Sequence, residues 1–205
     1  MHLPEHITTA HERGWQWFSK RAHSKHAVFW LVVLAFLEPV ISPIVPETLL
    51  VAMLLAGSDE RKWKKYSVIT TAASLAGGLA GYGVGLLAFK FFGEALLGTF
   101  GLADIHGTIS TILAGNIFLV MIFITFTPIP DKAFTILSGF VGAPLLPYAA
   151  GFLIGRAARF TLVAYLVHRF GEKILDTINR YLLWAGGAGV AIFTAYAIVH
   201  WHLLF

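Results

Sequence analysis

Six ionisable residues stand inside apolar stretches of this sequence: Glu38, Glu47, Asp131, Lys132, Arg156 and Arg159. A charge at the centre of a bilayer costs roughly 2.5–3.5 kcal/mol on insertion scales, so such residues pair with one another or line water. Three are acidic and three basic, and one outcome is a set of fixed ion pairs that closes the chain on itself. The other is a polar cavity that handles an anionic headgroup. Arg156 and Arg159 are three apart and share one helix face. Guanidinium groups hold phosphate oxygens bidentately, and the Lys132 ammonium adds a point charge. Glu38, Glu47 and Asp131 then act as cavity acids able to take up and release protons.

Prolines accompany these acids. Pro43 and Pro46 lie between Glu38 and Glu47, and Pro128 and Pro130 precede Asp131. An interior proline removes a helical hydrogen bond and clashes with the preceding turn, so both stretches are expected to break into half-helices. Such breaks can simply end helices. Paired with a carboxylate at each break, they also point helix dipoles at a ligand.

Composition dictates what must hold these breaks. Of the 205 residues, 57% are hydrophobic and only 13% charged, against about 25% charged in an average soluble domain. The apolar residues fall in blocks at least as long as the roughly 20 residues that cross a hydrocarbon core. The expected fold is therefore an all-α polytopic membrane protein. Residues 1–26 read as an amphipathic interfacial segment, with Trp15, Trp17 and Phe18 beside Lys20, Arg21 and Lys25. They lack the short basic start and immediate apolar core of a signal peptide. The membrane domain occupies 27–180, and a last transmembrane helix 181–205. Between the blocks, 93–107 reads as a connection. Gly77, Gly81 and Gly85 form overlapping GxxxG motifs, which let another helix approach closely and permit a homo-oligomer without requiring one.

Basic residues set the topology. Arg13, Lys20, Arg21 and Lys25 precede the first apolar block, and Arg61, Lys62, Lys64 and Lys65 follow it. Excess Lys and Arg marks cytoplasmic loops. Both clusters face the cytoplasm if 27–57 is a re-entrant hairpin that returns to its own side. Residues 66–92 then cross outward, 108–146 form a second hairpin from the outer face, and 148–167 cross back. The result is two opposed re-entrant hairpins, each followed by a transmembrane helix, the inverted-repeat logic of secondary transporters. The N-terminus is cytoplasmic.

Several classes are set aside. The chain has no cysteine, and its histidines, among them His200 and His202, show no ligand spacing on one face, so no metal and no cofactor are expected. A net charge of +4 suits positive loops at anionic lipid rather than nucleic acid. No nucleophile–base pair is recognisable, so the chain is not read as an enzyme.

The stretch Glu38-Pro-Val-Ile-Ser-Pro43-Ile-Val-Pro46-Glu47 resembles the first signature of the DedA family, also called SNARE-associated or VTT-domain proteins. Phe126-Thr-Pro128-Ile-Pro130-Asp-Lys132 with Gly139, then Gly155-Arg156-Ala-Ala-Arg159-Phe160, is most similar to its YqaA-like branch. The resemblance covers roughly Phe29 to Tyr181. It implies an inner-membrane protein with opposed re-entrant hairpins, tied to envelope homeostasis, the proton motive force and lipid translocation by flippase or scramblase activity. Carried onto this chain, Glu38 and Glu47 match the membrane-embedded acids. One departure stands out: many members flank the second hairpin's proline with arginines, and Thr125 and Asp131 occupy those places here, with Lys132 beside the second.

The functional expectation is a transporter of an anionic lipid headgroup, phospholipid or polyprenyl phosphate, coupled to protons. Lys132, Arg156 and Arg159 would contact the headgroup. An ion or small-solute transporter and a structural membrane protein with paired charges are the alternatives.

Overall fold

The computed structural model describes Ser24 and residues 26–41, 46–56, 62–100, 103–127 and 131–171, with backbone alone for 94–100, 103–106, 108–109 and 112–114. The described residues form six helices and no strand. They are α1 (Ala27–Leu37), α2 (Pro46–Ala56), α3 (Lys62–Phe100), α4 (Ala103–Phe126), α5 (Lys132–Phe140) and α6 (Leu145–Phe170). The expected interfacial segment and last transmembrane helix lie outside the described residues, as do Pro43, Pro128 and Pro130.

Helix length sorts these elements. At a rise of about 1.5 Å per residue, the 11-residue α1 and α2 reach about 16 Å, half a hydrocarbon core. α5 has nine residues. α3 and α6 are long and apolar enough to cross a membrane. α3 extends past the expected span on both sides, and 93–107 is almost wholly helical rather than a connection. The reason is local: Glu94, Ala95, Leu96 and Leu97 are good helix formers and continue the helix begun before them. Pro46 opens α2, where its missing N–H costs nothing.

α3 and α6 form an antiparallel central pair. Trp63 packs on Tyr165 and His168, Ser67 bonds Thr161 at 2.9 Å, and Gly78 faces Phe152. Two tyrosines clasp the pair. Tyr82 donates to the Ala143 carbonyl at 2.6 Å, and Tyr148 donates to the Gly78 carbonyl at 2.8 Å.

The four shorter partners divide between this pair. α1 runs along α3, where Gly77 takes the Phe36 carbonyl and Gly81 the Pro39 carbonyl. α2 runs along α6, with Glu47 at Arg159 and Val51 clustered with Val163 and Val167. α4 also runs along α6, where Gly151 meets Phe118 and Gly155 meets Ile122 and Thr125. α5 runs along α3, with Gly85 against Ile136 and Gly139 against Tyr82. The GxxxG glycines of α3 are thus filled by α1 and α5 of the same chain. α2 therefore runs antiparallel to α1, and α5 antiparallel to α4, so the chain has reversed direction between Leu37 and Pro46 and again between Phe126 and Lys132.

The distribution of polarity is inverted relative to a soluble core. Ser67, Thr70, Thr71, Ser74, Thr125, Thr135, Ser138 and five charged residues are buried, while Phe29, Val68, Phe91, Phe92, Leu119 and Leu146 are exposed. Only 33% of the most apolar stretch of α3, and 50% of that of α6, is buried. A soluble core helix would hide such a stretch; apolar groups outside and polar groups inside is the arrangement expected when lipid is the solvent.

Candidate functional site

Both chain reversals end at one turn of α6. Glu38 caps the C-terminus of α1, Glu47 lies in the first turn of α2, and Asp131 is the residue before α5. Arg156 and Arg159 project from α6 between them, 0% and 8% exposed. Arg156 Nη2 lies 2.5 Å from Glu38 Oε2 and also bonds Asp131 Oδ2. Arg159 Nε lies 2.6 Å from Glu47 Oε1, and its Nη1 donates to the Thr127 carbonyl at 2.9 Å. Each arginine therefore ties the first reversal to the second. The Thr127 bond has a plain cause: α4 ends there, and a carbonyl of a helix's last turn has no intrahelical donor.

The Arg156 guanidinium is also sandwiched between rings, 5.5 Å from the centroids of Phe152 and Phe160. These rings hold the fork flat and keep water from its faces. Yet its hydrogen-bonding is incomplete. Arg156 Nε and Nη1, and Glu47 Oε2, are buried and without a hydrogen-bond partner among the described residues. Buried unsatisfied donors are uncommon in native structures, and here they face inward with the capacity to take a further acceptor. The cluster sets three carboxylates against two guanidiniums.

Five of the six charges singled out in the sequence are brought together here. Lys132 is not among them. It is half-buried at the first position of α5 and has no ion pair among the described residues. Thr125 is fully buried, bonds its own helix at Met121 and packs against Gly155. Sequence reasoning missed Tyr82 and Tyr148, whose clasp braces α3 against α6, and Ser74, a buried hydroxyl without a partner. The hydroxyl spacing at 67, 70, 71 and 74 was the available signal. No group of three or more His, Cys, Asp or Glu residues suited to a metal occurs among the described residues.

Helices packed around a central charged cluster, with an apolar exterior, are the class that the described residues define. The chain is 29% identical over 187 residues to an uncharacterized protein of Haemophilus influenzae, covering 90% of this chain and 92% of that protein. It is 30% identical over 185 residues to the uncharacterized HI0703 homologue of Histophilus somni, covering 90% and 93%. The chain belongs to the family of these proteins. No protein-family model matches it, and no solved structure is similar.

Proposed function

We propose that this is an inner-membrane transporter that moves an anionic lipid headgroup through the Arg156 cluster, with proton uptake by the clustered acids. The observation that carries this reading is Arg156: buried, held by one carboxylate from each chain reversal, with Nε and Nη1 still lacking acceptors. A phosphate oxygen is the natural acceptor for such a fork. It competes with Glu38 and Asp131 for the same guanidinium. Protonation of a carboxylate weakens its hold and favours the phosphate. Since both reversals hang on the same arginines, exchanging partners there loosens both at once.

In this reading the chain is an inverted repeat of re-entrant hairpins with a cytoplasmic N-terminus, and its kinship is with the DedA family. In support, the packing pattern survives exchange of the halves. α1–α3 corresponds to α4–α6, and α2–α6 to α5–α3. The reversals come from opposite ends of the bundle, and irregular backbone at membrane depth is tolerated where it is buried in protein. Lys132, with no ion pair among the described residues, then supplies an accessory charge to the headgroup.

Headgroup movement in proteoliposomes tests this reading, using labelled phospholipids and a polyprenyl phosphate with and without a proton gradient. Movement is expected in the wild type, and its loss in Glu38→Gln and in Arg156→Ala. Movement indifferent to the gradient removes the coupling and leaves a scramblase. Solute flux without lipid movement favours the small-solute alternative.

A second reading is a structural membrane protein. The nearest contacts of both arginines are carboxylates, as in a fixed clamp. Arg156→Ala would then lower stability without any selective effect on lipid movement.

A further inference from the structure

One face of α3 carries Ser67, Thr70, Thr71 and Ser74, spaced i, i+3, i+4 and i+7, and all four are buried. Helix hydroxyls commonly satisfy themselves on the carbonyl four residues back. Thr70 and Thr71 do so on Tyr66 and Ser67, as do Thr125, Thr135 and Ser138 elsewhere. Ser67 uses Thr161 instead. Ser74 is 0% exposed and is the one buried hydroxyl among the described residues with no partner.

Its height in the bundle is fixed by its neighbours. Interpolating between the Ser67–Thr161 and Gly78–Phe152 contacts brings Ser74 level with the α6 turn that holds Arg156. Two unpartnered N–H groups and an unpartnered hydroxyl thus lie at one depth on facing helices. Together they offer donors to an oxyanion that displaces Glu38 or Asp131 from the Arg156 guanidinium. The hydroxyl face leads from there to one end of the bundle only. At that end are Lys62, Lys64 and Lys65, Arg169, and the Trp63–Tyr165–His168 aromatic group. Toward the other end the same face is occupied by Gly77, Gly78, Gly81 and Gly85, filled by backbone and by the side chains of Pro39, Phe152 and Thr135.

We propose that the Ser67–Ser74 face of α3 is the route by which a phosphate-bearing headgroup reaches Arg156 from the Lys62–Lys65 end, and that Ser74 is one of its ligands. This rests on the lipid-transport reading and assigns it an entry side and a further binding residue. The Ser67–Thr161 bond and the aromatic group above it close the route in this conformation.

The chain has no cysteine, so a single introduced thiol reports cleanly. Ser74→Cys and the exposed-face control Val68→Cys are reconstituted and treated with a charged, membrane-impermeant thiosulfonate. Modification of Ser74→Cys is expected, slowed roughly tenfold by short-chain phosphatidic acid at about ten times its dissociation constant, because the occupied fraction is shielded. Val68→Cys, facing lipid, stays unmodified. An unreactive Ser74→Cys beside a reactive Lys65→Cys overturns the route. Reaction without protection overturns Ser74 as a ligand, and equal protection by inorganic phosphate overturns the lipid as the source of the oxyanion. These readouts report access and binding, so they stand apart from whether lipid is moved. If Ser74→Cys does not fold, Ser74→Ala takes its place: a raised half-saturation for phosphatidic acid is expected, and an unchanged one overturns the proposal.

Discussion

Arg156 answers two buried carboxylates, so deleting its side chain strands both. Breaking a buried pair by removing one partner costs about 3–5 kcal/mol, whereas replacing all partners by neutral groups is often nearly free. Arg156→Ala is therefore expected to lower the thermal midpoint in detergent strongly, and Arg156→Met with Glu38→Gln and Asp131→Asn to recover most of the loss. Failure of the triple variant to recover would mean that Arg156 stabilises through its rings, Phe152 and Phe160, rather than through charge. Glu47→Gln is expected to cost less than Arg156→Ala, because Arg159 keeps the Thr127 carbonyl. The five clustered charges are legible in the sequence because a charge in an apolar block demands a partner. Their pairing is not legible: Glu38 and Arg156 are brought together only by the packing of α1 and α6 on α3. Nor does the sequence separate Lys132 from the set. Its neighbour Asp131 turns inward to Arg156, and adjacent positions on a helix do not share a face.

The helices meet through glycine, and the seams differ in what they tolerate. A Cβ at Gly85 would meet the Ile136 backbone, and one at Gly139 the Tyr82 backbone, neither of which can swing aside. Gly85→Ala or Gly139→Ala is expected to push α5 from α3 and cost about 1–3 kcal/mol. Gly83 faces open space, and Gly83→Ala is expected to stabilise by up to about 1 kcal/mol through helix propensity. Thermal unfolding of the three variants checks the contrast, and equal effects would refute these seams. The GxxxG spacing announced close packing, but nothing in a single sequence distinguishes a seam inside the chain from one between chains. The apolar block at 27–57 holds both α1 and α2 without separating them, and the block at 148–167 lies inside α6. The apolar blocks underestimated α3, because a helix continues wherever good formers follow it, whether or not those residues are apolar.

Across the whole molecule, the antiparallel pairing of α3 and α6 makes a prediction about sides. Lys65 and Arg169 stand at the same end, because Trp63 packs on Tyr165 and His168, and Lys90 lies toward the other. Single cysteines replacing Lys65 and Arg169 are expected to react with an impermeant thiol reagent from one face of sealed vesicles, and one replacing Lys90 from the opposite face. Labelling of Lys65→Cys and Arg169→Cys from different faces would exclude this arrangement. The positive-inside count gave the same assignment for the Lys62–Lys65 and Arg169 segments from charge alone. The interior hydroxyls and the tyrosine clasp are matters of three-dimensional register, which charge counting does not reach.

The order of synthesis gives the Arg156 cluster a history. Glu38 and Glu47 leave the ribosome more than a hundred residues before Arg156 and Arg159. At about 5–20 residues per second, that interval is roughly 6–24 s. Throughout it, the first pair of half-length helices carries two acids whose cations do not yet exist. In the re-entrant reading proposed above, half-length helices wait at the lipid surface, where water serves the acids, and sink only when α6 arrives. The last helix of the described bundle is in this sense the one that completes insertion of the first, and a nascent chain stalled before residue 156 should be a ready substrate for membrane quality control.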